Sequence, residues 1–334
     1  MKRFYKKGIS LFLILLMSFP LCACKSDDSK TLTTVKLNEV AHSIFYAPMY
    51  VAIEKGYFED EGIELSLTTG FGADKTMAAV VSGDADVGFM GTEASIYAYT
   101  EGAKDHVINF AQLTQRAGNF VVARENADSF SYEDMIGKDV LGGRAGGTPE
   151  MVYEYVLREN GVSPSEVKID QSIDFGSTAA AFSGGQGDYT IEFEPSATAL
   201  EQSGDGYVVA SIGVDSGYLP YTAFCAKESY LKENADLIQH FTNALQKGMD
   251  YVAGHSPEEI ASVIVPQFSE TDLKTLTLIV SRYYDQETWN TDLILREESY
   301  DLMLTILEES GVLSGAAPYE DLVNTDFAEK ASTL

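Results

Sequence analysis

APMYVAIEKGYFEDEGIELSLTTG, residues 47 to 70, decides the fold. The first half reads as a short helix. Pro48 suits a first turn, where no backbone N–H is needed, and Gly56 suits the left-handed position just past the end, with Tyr57 and Phe58 folding back as the apolar contact. The second half, from Ile63 to Thr69, alternates apolar and polar side chains, as a strand with one buried face does. A helix leading so quickly into a strand is part of an α/β repeat, which implies parallel strands with right-handed crossovers.

Working outward, the same alternation continues on both sides. TVKLNEV (34–40) reads as the first strand, DKTMAAVVSG (74–83) as a helix closed by Gly83, DVGFM (86–90) as a strand, TEASIYAYTEG (92–102) as a helix with Thr92 as N-cap, and HVINFAQLTQ (106–115) as a further strand. After Phe130 the order restarts. KDVLGG, VKID, YTIEF and GYVVASIG read as strands, separated by the helical runs TPEMVYEYVLRENG, STAAAFSGG and SATALEQSG. This predicts a second α/β lobe, and the shared helix–glycine–aspartate–strand order of residues 80–90 and 182–193 is a weak internal echo of the first. From about Lys227 strands give way to amphipathic helices. Leu237, Ile238, Phe241, Leu245 and Met249 recur on one stripe, and SPEE (256–259) forms a capping box. Trp289, Tyr283 and Tyr284 are assigned to packing.

The N-terminus places Lys2, Arg3, Lys6 and Lys7 ahead of an apolar stretch from Ile9 to Met17, the pattern of an export signal. That stretch is shorter than the ~20 residues of a spanning helix. Leu21, Cys22, Ala23 and Cys24 resemble a bacterial lipobox, which implies a signal peptide over 1–23 and a diacylated Cys24. Two acyl chains suffice for stable anchoring. Residues 24–34 read as a polar, flexible tether. The chain has 51 acidic residues against 23 Lys and Arg, four of the latter in the leader, so nucleic acid and anionic lipid surfaces are poor partners. Beyond Cys22 and Cys24 the remaining cysteine is Cys225, and His42, His106, His240 and His255 lack paired spacing, so neither a disulfide nor a metal site is expected. No cofactor is expected.

Open parallel sheets bind ligands beyond the carboxyl ends of their strands, where loops lead into helix N-termini. In the first lobe this selects residues 42–46, 70–75 and 91–93. In the second it selects 142–148, 174–178 and 192–195, with LTQRAGN (113–119) crossing between the lobes. Glycines there allow close backbone approach, and Phe45, Tyr46, Phe71 and Phe175 offer flat walls. The polar groups are Ser43, Thr92, Glu93, Gln115, Arg116, Asn119, Arg144, Thr148, Asp174, Glu192 and Glu194. Aromatic walls with a few converging polar groups are the usual form of a small-molecule site.

FYAPMYVAIEKGYFEDEGIELSLTTG (45–70), VVSGDADVGFMG (80–91), GKDVLGGRAGGTPEMVYEYVLRENGV (137–162) and GGQGDYTIEFEPSATALEQSG (184–204) resemble, in order and spacing, bacterial ABC-importer solute-binding proteins of the nitrate, sulfonate, taurine and thiamine-pyrimidine-precursor superfamily. The resemblance implies a periplasmic-binding-protein type 2 fold with two doubly wound α/β lobes around a ligand cleft. Lobe 1 is expected over 35–120 and 222–334, lobe 2 over 121–221, and the helical C-terminal segment packed on lobe 1. It further implies a monomer, lipid-anchored on the extracytoplasmic face of the cell membrane, that hands one small molecule to a permease with a cytosolic ATPase. The superfamily also includes a pyrimidine synthase that relies on histidine and a cysteine cluster, which this chain lacks.

Two readings of the ligand follow from YTIEFEP (189–195). Two residues apart on a strand, Glu192 and Glu194 share a face. If both line the cleft, a nitrate or sulfonate ~4 Å from one carboxylate meets roughly 4 kcal/mol of repulsion at an effective dielectric of 20, which Arg116 and Arg144 offset only if both reach it. An amino-substituted heterocycle instead donates N–H groups to the carboxylates and stacks on Phe or Tyr. The sequence therefore points to a planar nitrogen compound such as a thiamine pyrimidine precursor, with an anion-binding protein as the alternative. An exported hydrolase using both carboxylates is disfavoured, because side chains on one strand face cannot flank a bond from opposite sides.

Overall fold

The structure is a computed structural model that describes residues 32–126, 129–173, 175–313 and 315–334. The expected leader, the expected lipidation at Cys24 and the candidate site residue Asp174 lie outside these residues. Residues Leu32–Leu334 form one compact unit around two five-stranded sheets. The first contains β1 (Thr33–Glu39), β2 (Ile63–Thr69), β3 (Val87–Met90), β4 (Val107–Thr114) and β10 (Thr222–Lys227), in the order β2-β1-β3-β10-β4. The second contains β5 (Asn119–Ala123), β6 (Asp139–Leu141), β7 (Lys168–Asp170), β8 (Tyr189–Phe193) and β9 (Tyr207–Ser211), in the order β7-β6-β8-β5-β9. This is the expected α/β architecture of two doubly wound lobes, and its punctuation follows local chemistry. Gly56 and Gly83 adopt φ of 72° and 83°, where a side chain would be strained.

One feature departs from the all-parallel expectation. β1 pairs in parallel with β2 and β3, but β10 is antiparallel to both β3 and β4, and β5 is antiparallel to both β8 and β9. Neither inserted strand is marked by the sequence pattern. Asn119–Ala123 is buried throughout and Thr222–Lys227 nearly so, so neither carries the alternation that marks a strand with one wet face. They are also the strands that enter a sheet from the other half. The chain leaves the first sheet after β4 and returns after β9, and the two passages touch. A Cβ at Gly213 would lie 2.2 Å from the Ala117 carbonyl oxygen, and the Thr114 and Thr222 hydroxyls are 2.6 Å apart.

The C-terminal helices mainly cover the first sheet's side. Ala235–Gly254 packs on Ala47–Glu54, with Gly248 against Pro48 and Ala52, and of its apolar stripe Ile238, Phe241, Leu245 and Met249 are fully buried while Leu237 is only partly covered. Phe89, Phe224 and Phe241 form a stack and an edge contact at 4.3 and 5.6 Å in the core. Burying each such ring contributes about 1.5–3 kcal/mol. The segment also reaches the second half, since Leu273–Asp285 carries Arg282 to Glu194 and Glu201, and Glu297–Glu309 packs on Thr148–Glu159.

Candidate functional site

Helices begin at the carboxyl ends of strands in both halves. In the first, Ile44–Tyr46 and Ala47–Glu54 follow β1, and Glu93–Thr100 follows β3. In the second, Thr148–Glu159 follows β6. Their first residues meet. The Thr148 side chain lies beside the Glu93 carboxylate, Asn119 Nδ2 donates to the Pro149 carbonyl at 3.4 Å, and the Tyr97 hydroxyl reaches Met151 Sδ at 3.7 Å. Under this junction sits an aromatic floor. The Phe45 ring lies 5.5 Å from Tyr46, 5.7 Å from Tyr221 and 5.1 Å from Tyr283. Gly118 passes directly over it, and a Cβ there would stand 2.8 Å from the ring. The Trp289 indole N–H holds the Phe45 carbonyl at 2.9 Å, and the Tyr283 hydroxyl donates to the Gly118 carbonyl at 3.1 Å.

The floor is polar in a specific way. Glu93 Oε2, Asn119 Oδ1 and the Tyr221 hydroxyl are buried without a hydrogen bond within the protein, and Thr148 Oγ1 has only the Glu93 carboxylate beside it. Buried polar atoms are nearly always partnered, so their concentration here, on both halves and both passages, marks the floor as the candidate site. Burial raises the Glu93 carboxyl above its ordinary range, with the Thr148 side chain and the helix backbone partly offsetting it in favour of the anion. Its carboxylate folds over Gly91, where a Cβ would stand 2.0 Å from Oε2. Burial, with the charges of Glu39 and Glu93 nearby, likewise holds Tyr46 firmly protonated.

Glu39 makes the contrast. It is equally buried at the end of β1, but it accepts from Tyr50 at 2.5 Å and Thr69 at 2.9 Å and pairs with His42 at 3.1 Å. With its oxygens engaged it reads as a structural carboxylate that anchors the loop before Ile44–Tyr46. The same hydrogen bond to Glu39 raises the His42 pKa, against the lowering effect of its partial burial.

Of the residues singled out in the sequence, the structure brings Phe45, Tyr46, Glu93, Asn119 and Thr148 together. Ser43 caps Ile44–Tyr46 by accepting from the Phe45 N–H at 3.3 Å. Thr92 caps nothing, because its hydroxyl donates to the Pro220 carbonyl at 2.7 Å, tying the helix start to the second passage. Phe71, 75% exposed, and the exposed Arg144 lie on loops outside the floor. Gln115 turns to the Glu287 carbonyl at 3.0 Å. Arg116 stacks 4.0 Å over Tyr218, bonds the Gly213 carbonyl at 3.1 Å and pairs with Glu287, which ties its two terminal nitrogens to the passages and leaves Nε buried without a partner. Phe175 opens the helix Phe175–Ser183.

The expected pairing of Glu192 and Glu194 on one face is corrected. β8 ends at Phe193, and Glu194 turns onto Arg282 and Thr198, accepting from the Thr198 N–H at 3.0 Å. Glu192 points instead at the Phe175–Ser183 helix, accepting from Thr190 at 2.6 Å with Thr178 beside it, and burial pushes its pKa up to about 7. The carboxylate that faces the floor unpartnered is Glu93. Tyr221 was not singled out, and Tyr283 and Trp289 were assigned to packing alone. Their aromatic character was visible, but their meeting with Phe45 depends on the passages and the C-terminal segment.

A cavity of ≈ 770 Å³ lies elsewhere, lined in part by Gln112, Gln115, Tyr218 and Glu287. We place the principal site at the floor, because helix starts from both halves and unpartnered buried atoms coincide there.

A model of the NMT1/THI5-like family matches residues 44–260. YtlA of Bacillus subtilis, which is named as a binding protein with no ligand in its name, is 43% identical over 334 residues, covering 100% of this chain and 99% of that one. The riboflavin-binding protein RibY of Chloroflexus aurantiacus is 27% identical over 244 residues, 71% of this chain and 66% of that protein. The periplasmic aliphatic sulphonate binding protein SsuA of Escherichia coli shares the fold with a TM-score of 0.70 at 16% identity, covering 86% of this chain and 96% of that one.

Proposed function

From the premise that the chain belongs to the NMT1/THI5-like family, with the fold of periplasmic binding proteins, we propose that it is the extracytoplasmic solute-binding component of an ABC importer. It is anchored through Cys24, and its two halves close on a small planar nitrogen heterocycle that they deliver to the permease. One observation carries the ligand class. The unpartnered atoms include two pure acceptors, Glu93 Oε2 and Asn119 Oδ1, set over aromatic rings. A flat ring with N–H donors fills both requirements, whereas a nitrate or sulfonate would find the Thr148 and Tyr221 hydroxyls as donors but would lie beside the Glu93 carboxyl with no guanidinium to offset it. The similarity to a riboflavin-binding protein supports a heterocycle, and a thiamine-type aminopyrimidine and a flavin are the members to test first.

The test is a thermal-shift series with an aminopyrimidine, riboflavin, taurine and nitrate on the wild type and on Glu93→Gln. A heterocycle at a hundredfold excess over its Kd adds about 2.7 kcal/mol to apparent stability, and the shift should shrink or vanish in the variant. A shift with taurine or nitrate alone, or one indifferent to Glu93→Gln, would replace this ligand class with another.

A further inference from the structure

The ≈ 770 Å³ cavity meets the floor at Trp289, which lines the cavity and holds the Phe45 carbonyl through its indole N–H. Its walls come from the end of β4, from Tyr218 before the second passage, from the turn following Leu273–Asp285, and from the first residues of Glu297–Glu309. The volume lies within the ~300–1,000 Å³ range of small-molecule sites.

We propose that this cavity is a second binding site, for a small aromatic cation. Trp289 and the half-exposed Tyr284 provide ring faces, and Tyr218 closes one end with Arg116 already stacked on it. Gln112, only 7% exposed, lines the cavity, and its Oε1 has no hydrogen-bond partner. A buried amide oxygen in that condition asks for a donor from the occupant. The charge balance selects a positive one. Glu287 on the wall is paired with Arg116 and the lining cation Arg296 with Asp292 at 2.7 Å, so those charges offset, and Glu298 adds a further carboxylate to the lining, in a chain of net charge −28. Ring faces beside carboxylates are the usual receptor for an organic ammonium ion. The wall is also preset. Glu287 holds φ at 57°, a costly conformation for a residue with a side chain, and in it pairs with Arg116 and accepts from the Tyr218 hydroxyl.

Trp289 is the chain's single tryptophan and borders both the cavity and the floor, so its fluorescence reads occupancy and the variants assign it to one side or the other. The experiment titrates benzylamine, a ring bearing one ammonium group, into the purified wild type and into Gln112→Leu, Ala253→Phe and Glu93→Gln. The fluorescence is expected to saturate in the millimolar range or below. Affinity should fall about tenfold or more in Gln112→Leu, which removes the acceptor, and in Ala253→Phe, which fills the cavity from an exposed helical position, and should be unchanged in Glu93→Gln. Butylamine, which lacks the ring, should bind at least about tenfold more weakly. The proposal falls if the wild type shows no saturable response, if both cavity variants bind as well as wild type, if butylamine binds equally well, or if Glu93→Gln abolishes the response and thereby moves the site to the floor. Because the Glu93 variant reads the floor alone, failure here leaves the solute-binding reading standing.

Discussion

Glu39, Glu93, Glu192 and Glu194 are all buried, and their partners separate their roles. Glu39 and Glu194 are bonded on several sides, and Glu194 lies against Arg282, an arrangement in which removing one partner strands a buried charge. Glu93 has an oxygen left over, which is why it is the residue placed at the ligand. Glu192 is a third case, a carboxyl that burial holds at a pKa of about 7 against an ordinary 4.5. A carboxyl whose folded pKa lies above its unfolded value binds its proton more tightly in the native state. Its contribution is fully present below pH 4.5 and is lost as the pH rises through about 7. Urea midpoints measured across this range should show Glu192→Gln gaining on wild type by on the order of 2–3 kcal/mol between the two pH values and by no more beyond them. A difference that does not vary with pH would mean that Glu192 is not a buried neutral acid at low pH.

At the scale of elements, the helix Ala235–Gly254 shows how closely a sequence can specify packing without announcing it. Its apolar stripe was readable from spacing. The significance of Gly248 was not, because a mid-helix glycine ordinarily only weakens a helix. Here a Cβ would stand 2.2 Å from the Pro48 carbonyl oxygen and 3.2 Å from Ala52 Cβ, so the glycine lets the helix lie directly on Ala47–Glu54. Gly248→Ala should gain up to about 1 kcal/mol of helix propensity and lose more to overpacking, typically about 1–3 kcal/mol. The expected net result is a lower urea midpoint with an unchanged m-value, and a stabilised variant would show that the helices can part at no cost. β5 and β10 teach the converse lesson. Both are apolar enough to be strands, yet a strand buried on both faces carries no period-two signal by which a sequence marks it.

For the whole molecule, the passages near Ala117 and Gly213 and the contact of Glu93 with Thr148 join the two halves around a shared floor, on which the proposed closure would act. Small-angle scattering with and without a heterocycle that raises the melting temperature should show a smaller radius of gyration in its presence. Identical profiles with bound ligand would argue for a preformed pocket without closure. The sequence by itself determined the α/β order, the helix stops at Gly56 and Gly83, the helical C-terminal segment, and the helix starts that hold Glu93 and Thr148, because those depend on interactions a few residues apart. The tertiary structure alone decided that Glu192 and Glu194 diverge, that Arg116 is spent on the passages, and that Tyr221 and Trp289 flank Phe45. Each of those outcomes rests on a partner some 90 to 245 residues away along the chain, or on burial that local periodicity does not encode, as in Arg282 with Glu194 and Trp289 with Phe45, for which |i−j| is 88 and 244.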